Sequence, residues 1–147
     1  MVGNVLETKT VLLIENNPDD EALLLRAFKR NNLPCRIVTA RSGSEGLDYL
    51  LKADDPDLIL LDLKLPKLSG FEVLRRIRAE ERRRLMPVVI LSSSNEPGDI
   101  RRSYELGANS YLQKPLDLQE FETTIRVLVE YWLQLNQPPP SGHAAYQ

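Results

Sequence analysis

The chain reads as an α/β domain: five parallel strands in one sheet, with helices on both faces. Three observations lead there. Short apolar runs alternate five times with stretches of helical period, and the middle runs are apolar at every position. Four of the runs also end on residues that carry charge or a hydroxyl. Strands alternating with helices form a parallel sheet with right-handed crossovers, and strands apolar throughout are buried on both faces. With 147 residues, 42% of them hydrophobic, the chain suits one core that buries about 68–70% of the unfolded surface.

Thr10–Ile14, short and rich in Leu and β-branched residues, is the first strand. Asn16-Asn17-Pro18-Asp19-Asp20 then makes a turn and a helix start, with Asn17 as N-cap, Pro18 in first position and acids in the first turn. This helix presents Leu24, Ala27 and Phe28 on one face and ends near Asn31, at Asn31-Asn32-Leu33-Pro34. Residues 35–39 form the second strand, and Ser42-Gly43 opens a helix with Leu47, Leu50 and Leu51 at i, i+3 and i+4. Asp54-Asp55-Pro56 breaks that helix before the third strand, Leu58–Leu61. A loop from Asp62 to Gly70 leads into a helix carrying Phe71, Leu74 and Ile77. Pro87 starts the fourth strand, residues 88–91, and a polar loop over 92–98 precedes a helix through Ile100 and Tyr104 that Gly107 stops. Ser110–Gln113 is the fifth strand. The last helix, from about Asp117, carries Phe121, Ile125, Leu128, Val129 and Trp132 at helical spacing. Residues 1–9 read as an N-terminal extension, 10–135 as the domain, and 136–147, with three consecutive prolines, as a flexible tail.

Composition excludes several classes of function. A net charge of −2 argues against a non-specific grip on nucleic acid, which needs a dense basic face. The one basic block, Arg82-Arg83-Arg84, follows Glu80-Glu81 and reads as a solvated helix end. The single cysteine, Cys35, rules out an internal disulfide, points to a reducing compartment, and sits as a small core or edge residue at a strand start. No apolar run approaches the roughly 20 residues that span a bilayer, so the expected location is the cytoplasm. His143, alone in the tail, is given no role.

In an open parallel sheet, ligands bind beyond the carboxyl ends of the strands. The flavodoxin-like strand order 2-1-3-4-5 makes strands one and three neighbours, and with them Glu15 and Asp62. Glu15-Asn16-Asn17, Asp62, Ser92 and Lys114-Pro115 each follow an apolar run or strand. The order therefore aims a carboxylate pair, a hydroxyl and an ammonium at one crevice.

On these residues the chain resembles a response-regulator receiver domain of two-component signalling, over about residues 10–135. The resemblance is carried by Leu60-Leu61-Asp62, Pro66 and Gly70 at their spacing, by Lys114-Pro115, and by the hydroxyl residue after strand four. The acid-Asn-Pro turn and the ending Glu130-Tyr131-Trp132-Leu133 resemble the small single-domain regulators that partner bacterial phytochromes. The resemblance implies Asp62 as phosphoacceptor, since a carboxylate can attack a phosphoryl group in line and hold it as an acyl phosphate. It implies Mg²⁺, held by Glu15, Asp62 and the backbone carbonyl of Lys64. Family pockets carry a second acid next to the first, whereas this chain has Asn16, which serves more weakly, by its amide or through water. Asp19 or Asp20 can restore some field from the helix start. Lys114 would pair first with Asp62 and then with a phosphoryl oxygen, with a fixed Lys114–Pro115 peptide, cis being one option. Ser92 would donate its hydroxyl, with Ser93 and Ser94 as neighbouring registers.

By the same resemblance, Ser92 and Tyr111 form a switch, in which the aromatic turns inward as the hydroxyl moves; its alternative is an ordinary edge-strand aromatic. The implied partner is a sensor histidine kinase, of bacteriophytochrome type on the looser match, facing the first helix and the Pro115-Leu116 loop. No output module follows the fifth helix, so output runs through surface contacts. A homodimer is expected through helix four, strand five and helix five, with Tyr104, Tyr111 and Trp132 on its face; Trp132 can instead be core or an edge cap. The chain is read as a signalling protein, with only self-catalysed gain and loss of phosphate. A degenerate receiver that binds partners without phosphate is the alternative that Asn16 keeps open. A dehalogenase-type hydrolase fails because Lys64 stands where a second Asp is needed, and a flavin site fails because Pro18-Asp19-Asp20 would repel phosphate.

Overall fold

The computed structural model describes residues 9–33 and 35–140, so the expectations for most of the N-terminal extension, for Pro34, for the last seven residues of the tail and for His143 lie outside the described residues. Five parallel strands, β1 (Thr10–Ile14), β2 (Arg36–Ala40), β3 (Leu58–Leu61), β4 (Val88–Ser92) and β5 (Ser110–Gln113), form one sheet in the order β2-β1-β3-β4-β5. Between and after them run α1 (Pro18–Arg30), α2 (Gly43–Lys52), α3 (Gly70–Ala79), α4 (Pro97–Glu105) and α5 (Leu118–Val129).

The pleat divides the core in two. Val11 and Leu13, Leu58 and Leu60, and Val89 and Leu91 pack with α1 and α5. Leu12 and Ile14, Ile59 and Leu61, and Val88 and Ile90 pack with α2, α3 and the chain after α4. Successive side chains of a strand point to opposite faces, which is why the three central strands are apolar over 11–14, 58–61 and 88–91.

Local chemistry starts each helix. Asn17 accepts the backbone N–H groups of Asp19 and Asp20 at the head of α1, with Pro18 just inside. Ser42, Ser69 and Asp117 cap α2, α3 and α5 in the same way. Gly107, at φ 103°, takes up the left-handed backbone just after α4.

Several expectations are corrected. The second strand begins at Arg36 rather than Cys35, because Arg36 N–H donates to Lys9 whereas Cys35 N–H turns back to Leu33. The fourth extends to Ser92, which is in register with Gln113. Leu51 is 71% exposed, because the inward stripe of α2 is Gly43, Gly46 and Leu50, with Gly46 seated on Ile14. Arg83 is not a solvated helix end: it is 5% exposed, in a short 3₁₀ turn, donating to the Leu50 carbonyl and pairing with Asp55 at 3.1 Å. No described peptide bond is cis, so Lys114–Pro115 is trans, the cheaper isomer even before proline. The last helix runs on past Val129, in keeping with its expected reach to Trp132, and widens there into a π-helical segment, Glu130–Leu135. Within it Trp132 is partly buried against the first core and meets Tyr131 edge-to-face at 5.1 Å.

Candidate functional site at the carboxyl end of the sheet

Ile14 and Leu61 are register partners, so the next residues, Glu15 and Asp62, leave adjacent strands side by side. Each is fixed by its backbone: Glu15 N–H donates to Ala40 and Asp62 N–H to Ile14, both at 3.0 Å. Two strands further on, just past β5, Lys114 N–H donates to the Ser92 carbonyl at 2.7 Å. All three side chains are buried, at 1% for Glu15, 6% for Asp62 and 8% for Lys114.

The Lys114 ammonium draws them together. Its Nζ lies 2.7 Å from Glu15 Oε1, 2.8 Å from Asp20 Oδ2 and 3.4 Å from Asp62 Oδ2. Burial pushes the Glu15 carboxyl up to about 7 against the pull of Lys114, and the neighbouring Asp62 adds to the rise. For Lys114, burial acts to lower its affinity for the proton. Hydrogen bonds to Asp20 and Glu15 and the charges of Asp62 and Glu15 outweigh this, and it ends above its ordinary value. The ammonium therefore holds its proton more firmly than a free lysine, and three carboxyl groups share it.

Gly70 explains how the strand end at Asp62 is held. A Cβ there would stand 2.2 Å from the Asp62 carbonyl oxygen and 2.6 Å from Leu63 Cα, so only glycine lets α3 start this close. Its N–H donates to the Leu63 carbonyl at 3.0 Å. Lys64 is exposed, and its N–H points back to Asp62 Oδ1 at 3.4 Å. Asn16 is exposed beside the site.

The three consecutive serines separate cleanly. Ser92 is fully buried at the end of β4, and its Oγ accepts Ser94 N–H at 3.2 Å. Ser93 is exposed, and Ser94 Oγ donates to Asp99 in α4 at 2.7 Å. Tyr111 packs against the second core, and its hydroxyl donates to the Ser94 carbonyl at 2.8 Å, pinning β5 to the β4–α4 loop. Tyr104 stays half exposed and Trp132 lies away from the carboxylates, on the groove between β5 and α5.

The residue that sequence reasoning placed only loosely is Asp20. Asp19, offered with it, is exposed, while Asp20 reaches the ammonium. The signal was helical phase: Asp20 precedes buried Leu24 by four residues and so continues the inward face of α1. Two grooves, of about 300 Å³ between α2 and α3 and about 380 Å³ between β5 and α5, do not border Asp62.

A family model, the response regulator receiver domain, matches residues 11–126. The probable methanogenesis regulatory protein FilR2 of Methanothrix harundinacea is 41% identical over 145 residues, which span 93% of this chain and 94% of that protein. The crystal structure of the phosphorylated cyanobacterial phytochrome response regulator RcpA is 37% identical at a TM-score of 0.83, covering 89% of this chain and 98% of its own. The Mn²⁺-bound form of Rcp1, a response regulator of Synechocystis, is 31% identical at a TM-score of 0.82, covering 90% and 99%.

The donor set fits a hard divalent cation. Glu15, Asp20 and Asp62 outnumber the single ammonium between them. Among the described residues no three carboxylate, His or Cys side chains form a ready metal cage. That agrees with Mg²⁺, which takes one or two carboxylates and keeps several waters.

Proposed function

The chain belongs to the response regulator receiver family, and from that premise we propose that it is a single-domain response regulator accepting a phosphoryl group on Asp62 from a sensor histidine kinase. The observation that carries this reading is the convergence of Glu15, Asp62 and Lys114 within 3.4 Å of one nitrogen. An Asp62 oxygen attacks the phosphorus of a phosphohistidine in line, an O–P bond forms as the P–N bond breaks, and the imidazole leaves. Lys114 turns from Asp62 to a phosphoryl oxygen, and the Ser92 hydroxyl donates to another. Bound Mg²⁺ supplies charge neutralisation for these oxygens. Glu15, Asp62, the Lys64 carbonyl and, more weakly or through water, Asn16 would hold it. Ser92 and Tyr111 then pass the change to the α4–β5 surface.

RcpA, a phytochrome response regulator, supports a kinase of phytochrome type. The net charge of −2 supports protein partners over nucleic acid. No helix among the described residues is long and apolar enough to cross a membrane, in keeping with a cytoplasmic place of work. The alternative, a degenerate receiver, is favoured by Asn16 alone.

Incubation with acetyl phosphate or phosphoramidate and Mg²⁺ tests the reading. The intact chain is expected to gain the mass of one phosphoryl group, and Asp62→Asn to gain none. No uptake by the native chain, or equal uptake by Asp62→Asn, would remove Asp62 as acceptor. Transfer from a phosphorylated phytochrome kinase, compared with an unrelated histidine kinase, tests the partner.

A further inference from the structure

Asp20 is nearer to the Lys114 ammonium than Asp62 is, at 2.8 Å against 3.4 Å. The contact joins positions 94 apart in the chain, and it is not a chance surface pairing. Lys114 is 93% buried at its side chain and Asp20 is 27% exposed. Helix α1 is anchored at this end by the Asn17 cap and Pro18, and it buries Leu24, Ala27 and Phe28 in the core shared with α5. The next acid along, Glu21, is already committed elsewhere: its two oxygens accept from Arg41 at 3.1 and 3.3 Å. Asp19 is exposed. One acid of the first turn therefore serves the pocket.

Charge counting gives this acid a purpose. A receiver pocket with two adjacent acids, an acceptor Asp and a Lys holds three carboxylates against one ammonium. Here position 16 is a neutral Asn, yet three carboxylates still surround the ammonium, because Asp20 joins Glu15 and Asp62. The formal charge of the centre is unchanged, with one acid moved from the strand end to the helix start. Resting on the receiver reading, we infer that Asp20 is a functional residue of the pocket: it supplies the second acidic charge that position 16 lacks, and it shares Lys114 with the acceptor. It acts on the cation through its field and through Lys114. It is thus a positioning residue, and it need not be a direct ligand. A unit charge about 6 Å from a divalent ion, with the full screening of bulk water, is worth roughly tenfold in affinity.

The test is calorimetric titration of MgCl₂ into the full unphosphorylated chain. Asp20→Asn is expected to weaken Mg²⁺ binding about tenfold. Asn16→Asp added to Asp20→Asn should bring the affinity back to within about threefold of the native chain. Asp20→Glu, which keeps the charge, and Asp19→Asn, which removes an exposed one, should both bind as the native chain does. Native affinity in Asp20→Asn would overturn the inference. So would failure of Asn16→Asp to rescue, an equal loss in Asp19→Asn, or a tenfold loss in Asp20→Glu, which would make shape rather than charge the cause. Thermal melts of each variant establish that it is folded, and if Asp20→Asn is not, Asp20→Ser with and without Asn16→Asp takes its place. Acetyl phosphate labelling of the native chain separates the two claims. Labelling on Asp62 with unchanged Mg²⁺ affinity in Asp20→Asn removes the role of Asp20 alone, whereas no labelling removes the phosphoacceptor reading. A native chain that binds no Mg²⁺ removes both.

Discussion

Glu15 is a residue whose protonation the fold disturbs strongly. Unfolded, it would release its proton near 4.5; native, it holds it to about 7, because burial outweighs the attraction of Lys114. The native state therefore binds more protons than the unfolded chain between those values, and stability falls as pH rises across the window. At about 1.4 kcal/mol per unit, the loss is on the order of 3 kcal/mol. Lys114, raised rather than lowered, stays charged throughout and does not cancel the effect. Melts without metal are expected to show a lower Tm at about pH 8 than at about pH 5. Mg²⁺ should recover more at the higher pH, and Glu15→Gln should flatten the difference. If Glu15→Gln keeps the full slope, the loss belongs to another group. Glu15, Asp62, Ser92 and Lys114 were legible in the sequence because each stands at or just beyond a strand end, where a parallel sheet leaves only one direction to point. Asp20 was legible only as one of two candidates, and Arg83 was misread, since their contacts with Lys114, Asp55 and the Leu50 carbonyl lie far away in the chain.

Among the elements, the β3–α3 connection carries the strictest demands. It holds Lys67 at φ 64°, a left-handed conformation that costs a non-glycine residue free energy and tends to be kept near functional sites. It also closes on Gly70, packed against the Asp62 backbone. Gly70→Ala would push backbone against backbone, with no flexible side chain to give way. It is expected to destabilise by about 2–3 kcal/mol in denaturant melts and to reduce phosphoryl uptake, because the displaced backbone is that of the acceptor. Gly98, in α4, has nothing within 4 Å of its would-be Cβ, and Gly98→Ala should be neutral or stabilising by up to about 1 kcal/mol. Equal melts for the two variants would show that the close approach at Gly70 is not needed. Strand positions were readable at this scale because β3 and the middle of β4 are apolar without a break. The face of α2 was not: apolar spacing pointed to Leu51, but Gly46 gains its place by being small enough to sit on Ile14.

For the whole molecule, β5 is an edge strand, flanked by half-exposed Tyr104 and by exposed Val127, Tyr131 and Leu135. The expected dimer through α4, β5 and α5 would cover that edge and the neighbouring groove. Sedimentation velocity at concentrations on the order of tens of micromolar, within reach of a standard-sized interface, should show dimer. Monomer alone, with and without phosphoryl group, would remove that expectation. The twofold division of the core has a further consequence. Alternation along the strands directs Lys114 toward α1 and α5, whereas Ser92 and Tyr111 follow the positions that face α3 and α4. On the proposed reading, writing and reading would fall on opposite sides of a wall one strand thick. A donor docked over α1 and a listener docked over α4 would not compete for the same ground, and one copy of the chain can be held by both at once.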